Sequence, residues 1–205
     1  MARTLAFDRD EALDSAMHLF WRQGYSATSM QQLLDTMEIS RSSLYATFGD
    51  KQRLFLEALD QFSDRNYDII ESAFTEEKPL NAVRSFFVET VHNSTRSRLT
   101  RGCMMVNTIL ELADVEPELS QHAIERLKQV EQKFEHCFQL AQKLDQLDKT
   151  FSPEYLAKMV MTLNQGLRVS SRKHTTREEM AKVVDTTMQL LGIEPSKPAQ
   201  QNTTH

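Results

Sequence analysis

Glycine and proline are scarce, at five of each in 205 residues. Tight hairpins and phosphate-cradling loops draw heavily on both, and helices on neither, so the shortage points to an all-α fold. Cysteine is scarcer still. Cys103 and Cys137 make no disulfide framework, and each reads as a free thiol of a reducing compartment. No run of about 18 consecutive apolar residues occurs, so no membrane-spanning helix is expected. The stretch Met1-Ala2-Arg3-Thr4-Leu5-Ala6-Phe7-Asp8 turns acidic where a signal peptide would need its apolar centre. A cytoplasmic address is the expectation. Enzyme signatures are also missing: there is no GxGxxG, no P-loop and no HExxH. His136 and Cys137 are neighbours and would diverge by about 100° on a helix, so they cannot chelate one metal as a pair. No catalytic residue, cofactor or metal site is therefore expected. Nor is positive charge in excess. The formal net charge is −5, and residues 1–55 hold six Lys/Arg against seven Asp/Glu. That excludes a polybasic coat for nucleic acid. It leaves open a small basic surface, because phosphate attraction acts over about 8–10 Å.

What the chain does have is helical punctuation. Asp8 with Glu11 is a capping-box variant, and Leu13, Ala16, Met17 and Phe20 follow at helical spacing up to Gly24. These predict a first helix over about 8–24. Thr28 with Gln31 predicts a short second helix over about 28–36, with Met37-Glu38-Ile39 as a turn. Ser40 caps a third, about 40–47. Asp50 caps a long fourth helix to about 74. A fifth is expected over about 79–97, then a loop at 98–102 and a sixth helix from near Cys103 to Val115. Pro117 opens a seventh to about 147, in which Leu127, Phe134 and Ala141 alternate with Val130, Cys137 and Leu144. Ser152-Pro153 starts an eighth. Two overlapping boxes, Thr175 with Glu178 and Thr176 with Glu179, start a ninth that ends at Gly192. The polar tail is expected to be disordered.

Two short helices joined by a three-to-four-residue turn, the second opening on Ser-Arg-Ser-Ser, match a helix-turn-helix. Leu33, Leu34, Ile39, Leu44 and Phe48 suit its core. Arg41, Ser42, Ser43, Tyr45 and Thr47 are left for the outer side, where Arg suits guanine or phosphate and the hydroxyls suit phosphate or base edges. Thr28 and Lys51 each start a predicted helix, where unsatisfied N–H groups favour an anion.

The stretch from Gly24-Tyr-Ser-Ala-Thr-Ser-Met-Gln-Gln-Leu through Ile39-Ser-Arg-Ser-Ser-Leu-Tyr-Ala-Thr-Phe-Gly-Asp-Lys51 resembles the TetR/AcrR family signature. The most diagnostic positions are Ile39-Ser40 and Leu44-Tyr45-x-x-Phe48-x-x-Lys51. The resemblance covers about 8–60. It implies a cytoplasmic, ligand-responsive, DNA-binding regulator, a repressor by family analogy, released from a palindromic operator by a small-molecule effector. It further implies phosphate contacts from Thr28 and Lys51, a recognition helix lined by Arg41, Ser42, Ser43, Tyr45 and Thr47, and a minor-groove reach for Arg3. One departure stands out: Glu38 occupies a turn position that is commonly Gly in the family. A left-handed backbone there would cost on the order of 1 kcal/mol.

The C-terminal stretches Gly102-Cys-Met-Met-Val-Asn-Thr-Ile-Leu-Glu-Leu-Ala113 and Gly166-Leu-Arg-Val-Ser-Ser171 are similar to a branch of the same family. That similarity implies a homodimer through the eighth and ninth helices and a pocket enclosed by the fourth to eighth. Candidate lining residues are Phe62, Phe86, Met104, Asn107, Thr108, Glu111, Phe138 and Thr162. Asn107 and Glu111 share a helix face and could hold a polar ligand group, or equally be solvent-exposed or satisfied by neighbouring backbone. Cys103, at a helix start after Arg98 and Arg101, is a candidate redox or electrophile sensor; the plainer reading is a buried small hydrophobe. The expected domains are 1–50 for DNA reading, 51–192 for ligand binding and dimerisation, and a tail over 193–205. A helical interaction module, or a pocket-based enzyme on the same scaffold, remains the alternative.

Overall fold

The computed structural model describes residues 7–173 and 175–193, and among these all regular structure is helical. The elements are α1 (Arg9–Gln23), α2 (Met30–Met37), α3 (Arg41–Phe48), α4 (Lys51–Ala73), α5 (Leu80–Phe87), a π-helical turn (Val88–His92), α6 (Arg96–Arg101), α7 (Met104–Leu112), α8 (Pro117–Lys143), α9 (Pro153–Ser171) and α10 (Arg177–Leu190). None of these helices is long and apolar enough to cross a membrane. Arg3 and the tail from Glu194 onwards lie outside the described residues. Ile193, expected in the tail, is buried, and its N–H donates to the Met188 carbonyl at 2.8 Å.

Local chemistry sets most helix starts. The Asp8 carboxylate accepts from the amides of Asp10 and Glu11. Ser40 caps α3 through the Ser43 amide. Of the two overlapping boxes before α10, Thr176 with Glu179 is the one formed. The α2 start is corrected by one residue. Ser29, not Thr28, is the cap and forms the reciprocal box with Gln32. Tertiary burial decides between these equivalent patterns: Thr28 is 1% exposed, and its hydroxyl donates to the Gly24 carbonyl at 2.6 Å. The expected loop over 98–102 is corrected too. Thr95 receives the Arg98 amide on its side chain and the Leu99 amide on its carbonyl, which starts α6. The fifth helix therefore ends early, through the π turn, where the Asn93 amide reaches back five residues to the Val88 carbonyl at 2.8 Å.

The chain packs as two compact units that do not follow chain order. One comprises residues up to Asp68 together with Arg101–Glu131; the other comprises Ile69–Thr100 and the residues from Gln132 on. Helices α4 and α8 each contribute to both. In the first unit α1, α2, α3 and α7 share one buried apolar cluster with the early turns of α4 and α8. Phe20 meets Phe55 edge-on at 4.8 Å, and Trp21 meets Phe62 at 5.0 Å. Such pairs add about 0.5–1.5 kcal/mol beyond their buried area. Arg126 of α8 binds Asp60 at 3.2 Å and also reaches Asp64, while His122 meets Asp60 at 2.7 Å, so α8 is pinned to α4. The core of the second unit includes Phe87, Phe134, Cys137 and Phe138, with Phe86 edge-on to Phe134 at 5.2 Å.

Glu38, between α2 and α3, has φ 55° and ψ 37°, in the left-handed region. A side chain there costs about 1–2 kcal/mol. Glycine would remove that cost but add about 0.4–1 kcal/mol of unfolded-chain entropy. Glu38→Gly should therefore raise stability by up to about 1.5 kcal/mol. The check is a higher urea midpoint at unchanged slope.

Candidate nucleic-acid interface and sensing region

The helix-turn-helix is built from its core outwards. Leu33 and Leu44 are fully buried, with Leu34, Ile39 and Phe48 nearly so. They fix the α2–α3 pair and leave one side of α3 in solvent. On that side Arg41, Ser42, Tyr45 and Ala46 are exposed, and Ser43 is half-buried. The hydroxyls of Ser42 and Ser43 each lie 2.9 Å from the Ser40 hydroxyl, so the three form a cluster at the α3 N-terminus. Thr47 behaves differently from expectation. Its hydroxyl is buried and has no hydrogen-bond partner, so it points away from the exposed side. Ala46 was not singled out from the sequence, although its position four residues after Ser42 and next to Tyr45 was the available signal. A methyl group there suits contact with a thymine methyl.

Lys51 opens α4 half-buried, its ammonium 4.3 Å above the Tyr25 ring. Burial pushes the Lys51 ammonium down from its ordinary value, opposed by the charges of Glu111 and Glu116. Burial also pushes the Tyr25 phenol up, reinforced by Glu116 and Asp50. Helix α4 is capped from outside by Asp50, whose carboxylate accepts from the Arg53 amide at 2.8 Å.

The eight candidate pocket residues are divided between the units. Phe62, Met104, Asn107, Thr108 and Glu111 belong to the first, and Phe86, Phe138 and Thr162 to the second. Several have internal partners. The Asn107 amide donates to the Arg101 carbonyl at 2.9 Å, and the Thr108 hydroxyl donates to Met104 at 2.9 Å. Phe86 and Phe138 are core. Thr162 is exposed. Asn107 and Glu111 are both satisfied by neighbouring backbone, one of the arrangements that their shared helix face allowed. The Glu111 carboxylate accepts from the amides of Tyr25 at 3.2 Å and Ser26 at 2.7 Å. It thus satisfies the loop that leads from α1 into the helix-turn-helix. Gly24, at φ +86°, makes room for it, since a Cβ would lie 2.3 Å from Glu111 Oε2.

Charged hydrogen bonds contribute about 1.5–3 kcal/mol each when no water replaces them. Ser26 is exposed and Tyr25 only half-buried, so water replaces part of what is lost. Glu111→Ala should lower stability by about 2 kcal/mol, read as a fall in denaturant midpoint.

Cys103 occupies the capping position of α7 without capping it, and is 7% exposed within the apolar cluster. Cys137 is fully buried, and burial pushes its thiol up to about 11, against an opposing pull from Lys133. Both thiols should react slowly with Ellman's reagent at pH 8 and titrate fully on unfolding. One fast equivalent in the folded protein, lost in Cys103→Ser, would contradict the burial and favour a sensor role. Among the described residues no group of three or more His, Cys, Asp or Glu is placed to hold a metal.

A second surface lies on the C-terminal helices. Tyr155, Met159 and Val169 of α9 are 69%, 43% and 45% exposed. With exposed Thr162 and Gly166 they recur at helical spacing along one stripe. A Cβ on Gly166 would meet nothing within 4 Å. Val183 and Leu190 of α10 are also exposed.

An all-helical chain with an exposed second helix in a helix-turn-helix, followed by a larger helical region, defines the class of two-part helical DNA readers. Comparison with known proteins gives the family. Residues 12–68 match the profile described as bacterial regulatory proteins, tetR family, and residues 79–187 match that of the tetracyclin repressor-like C-terminal domain. The chain belongs to the TetR family of transcription regulators. It is 30% identical over 190 residues to the HTH-type transcriptional repressor ComR of Escherichia coli strain K12, covering 92% of this chain and 90% of ComR. It is 32% identical over 137 residues to the uncharacterized regulator YezE of Bacillus subtilis strain 168, covering 66% and 71%. Among solved structures it is similar to a cysteine mutant of the TetR family regulator CifR complexed with a 26-base-pair double-stranded operator DNA. There the TM-score is 0.79 at 28% identity, over 93% of this chain and all of the other.

Proposed function

We propose that this protein is a homodimeric, cytoplasmic transcriptional repressor that binds a palindromic operator and leaves it when a small-molecule effector binds. Its role is regulatory rather than enzymatic. The observation that carries the reading is the exposed side of α3, held out by a fully apolar core. The likeness to ComR and to the operator-bound CifR supports it.

In this reading Arg41 contacts a base edge or phosphate in the major groove, Ser42 and Ser43 approach the backbone, and Tyr45 sets its hydroxyl on a phosphate. Ala46 faces the bases. Lys51 and the α4 start meet phosphate from outside the groove. At the α2 start the exposed cap Ser29 takes the role expected of Thr28, whose hydroxyl is already bound within the protein. The acidic net charge is consistent with this, because phosphate attraction is screened over about 8–10 Å and rests on the local cations Arg41 and Lys51.

The partner we assign to the α9 stripe, together with the exposed Val183 and Leu190 of α10, is a second copy of this chain. An exposed apolar patch of this kind marks an interaction surface, and a two-fold axis makes the same patch self-complementary. A two-fold dimer that reads inverted half-sites needs its two α3 helices about one turn of DNA, roughly 34–36 Å, apart.

The test is selection of binding sites from a random duplex pool, followed by anisotropy on the recovered duplex. Inverted half-sites bound as a dimer support the reading. Failure to enrich any sequence at low salt would overturn it.

A further inference from the structure

The second unit contains a cleft of about 440 Å³ that none of the eight expected pocket residues lines. Its walls are the start of α6, the end of α9 and the first turn of α10. Leu99 and Met180, 5% and 1% exposed, form an apolar floor. The guanidinium-bearing residues Arg96 and Arg177 stand at its rim, both exposed. Glu178 is the one acidic residue among the described lining positions, and its carboxylate lies 3.6 Å from Arg177. The neighbouring Glu179 is turned onto its own cap, accepting from the Thr176 amide at 2.8 Å.

We propose that this cleft is a binding site for a small monoanionic carboxylate with an apolar body. Three independent features point to that chemistry. Among the described lining residues there are two positive charges and one negative, a surplus of one, which suits a monoanion better than a dianionic phosphate. Arg presents a planar fork that matches a carboxylate bidentately. The floor is apolar, and the volume falls in the range of small-molecule sites, about 300–1,000 Å³.

Helix α10 adds an electrostatic reason. Arg177 is its first residue. A cation there works against the helix dipole. Glu178 and Glu179 of the same turn and the Thr176 cap already offset part of this, and a bound carboxylate adds to them. The remaining wall is fixed: the Ser171 hydroxyl, buried, lies 2.6 Å from the Leu99 carbonyl and ties the end of α9 to α6.

The occupant has a covalent route to the reading half. Leu99 and Thr100 of the cleft are followed directly by Arg101 and Gly102. The Gly102 carbonyl accepts from the Trp21 indole of α1 at 3.2 Å, and the Arg101 guanidinium lies 5.5 Å from the Trp21 ring centre. An effector role for the occupant rests on the repressor reading above; binding itself does not.

The test is calorimetry of the full chain, without DNA, with octanoate and phenylacetate as probes and their neutral amides as controls. Both carboxylates should bind saturably with Kd below about 1 mM, and the amides at least about tenfold more weakly. Arg96→Gln and Arg177→Gln should each weaken carboxylate binding about tenfold or more, with no fall in the unliganded melting temperature because both side chains are exposed. Three results overturn the site: neither carboxylate binding, amides binding equally well, or both variants binding like the parent. Because no DNA is present, a failure of operator binding leaves this result standing, and the reverse also holds.

Discussion

Arg41→Ala should weaken operator binding by about 2–6 kcal/mol. One good side-chain contact to a base edge discriminates by about 1–3 kcal/mol, and a two-fold dimer loses it twice. Affinity should fall between about thirtyfold and twenty-thousandfold. The pattern of the loss identifies the contact. If Arg41 reads a guanine, preference at one symmetric pair of positions relaxes. If it meets phosphate, all sequences weaken together and the salt dependence falls by about one charge per half-site. Tyr45→Phe should weaken binding in the uniform way, because only a hydroxyl is removed. Arg41 is exposed in the protomer, so folding should be unaffected. Retention of full affinity in both variants would mean that α3 is not the reading helix.

Met159→Glu should convert the protein to a monomer at micromolar concentration. Met159 lies near the middle of the α9 stripe and is 43% exposed in the protomer, so a carboxylate is tolerated there while the protomer is alone. In a two-fold interface it is buried twice, facing a copy of the same apolar stripe. An unpaired buried charge costs several kcal/mol, on the order of 3–5, and a micromolar dimer is held by only about 8 kcal/mol. Light scattering coupled to size exclusion reads the mass directly, with circular dichroism to show the helices intact. The monomer should also lose most operator affinity, because two linked half-sites bind with an effective concentration that a single one lacks. A variant that stays dimeric would remove the α9 stripe from the interface.

Where chemistry is local, the sequence was legible. Asp8, Ser40 and Thr176 cap the helices they were expected to cap, because a cap needs only its own side chain and the next few amides. The apolar core of the helix-turn-helix followed from spacing alone. Thr28 and Ser29 present the same pattern to a reader of sequence, and only the burial of Thr28 under the α1–α2 loop separates them. Helix α6 was missed because Arg96-Ser-Arg-Leu-Thr-Arg has a single apolar residue and no stripe; its support comes from Ser171, 72 residues further along the chain.

The candidate sites divide in the same way. Arg41, Ser42 and Tyr45 emerge on the exposed side because α3 has one period and one buried side. Thr47 does not, since its hydroxyl turns inward. Asn107 and Glu111 do share a helix face, as their spacing requires. That Glu111 serves the backbone of Tyr25 and Ser26 depends on packing between segments 85 or more residues apart. The Arg96–Arg177 cleft joins two similarly distant segments. Its one local trace was an arginine at a helix start, where the dipole disfavours it.

The central claim is that two copies of α3 occupy successive turns of a major groove on one face of a duplex. Hydroxyl-radical footprinting of the selected operator tests it most directly. Two protected patches about 10 base pairs apart on the same face, abolished together in Arg41→Ala and reduced to weak single-site protection in Met159→Glu, are the predicted result. A single continuous footprint that survives both substitutions would contradict it.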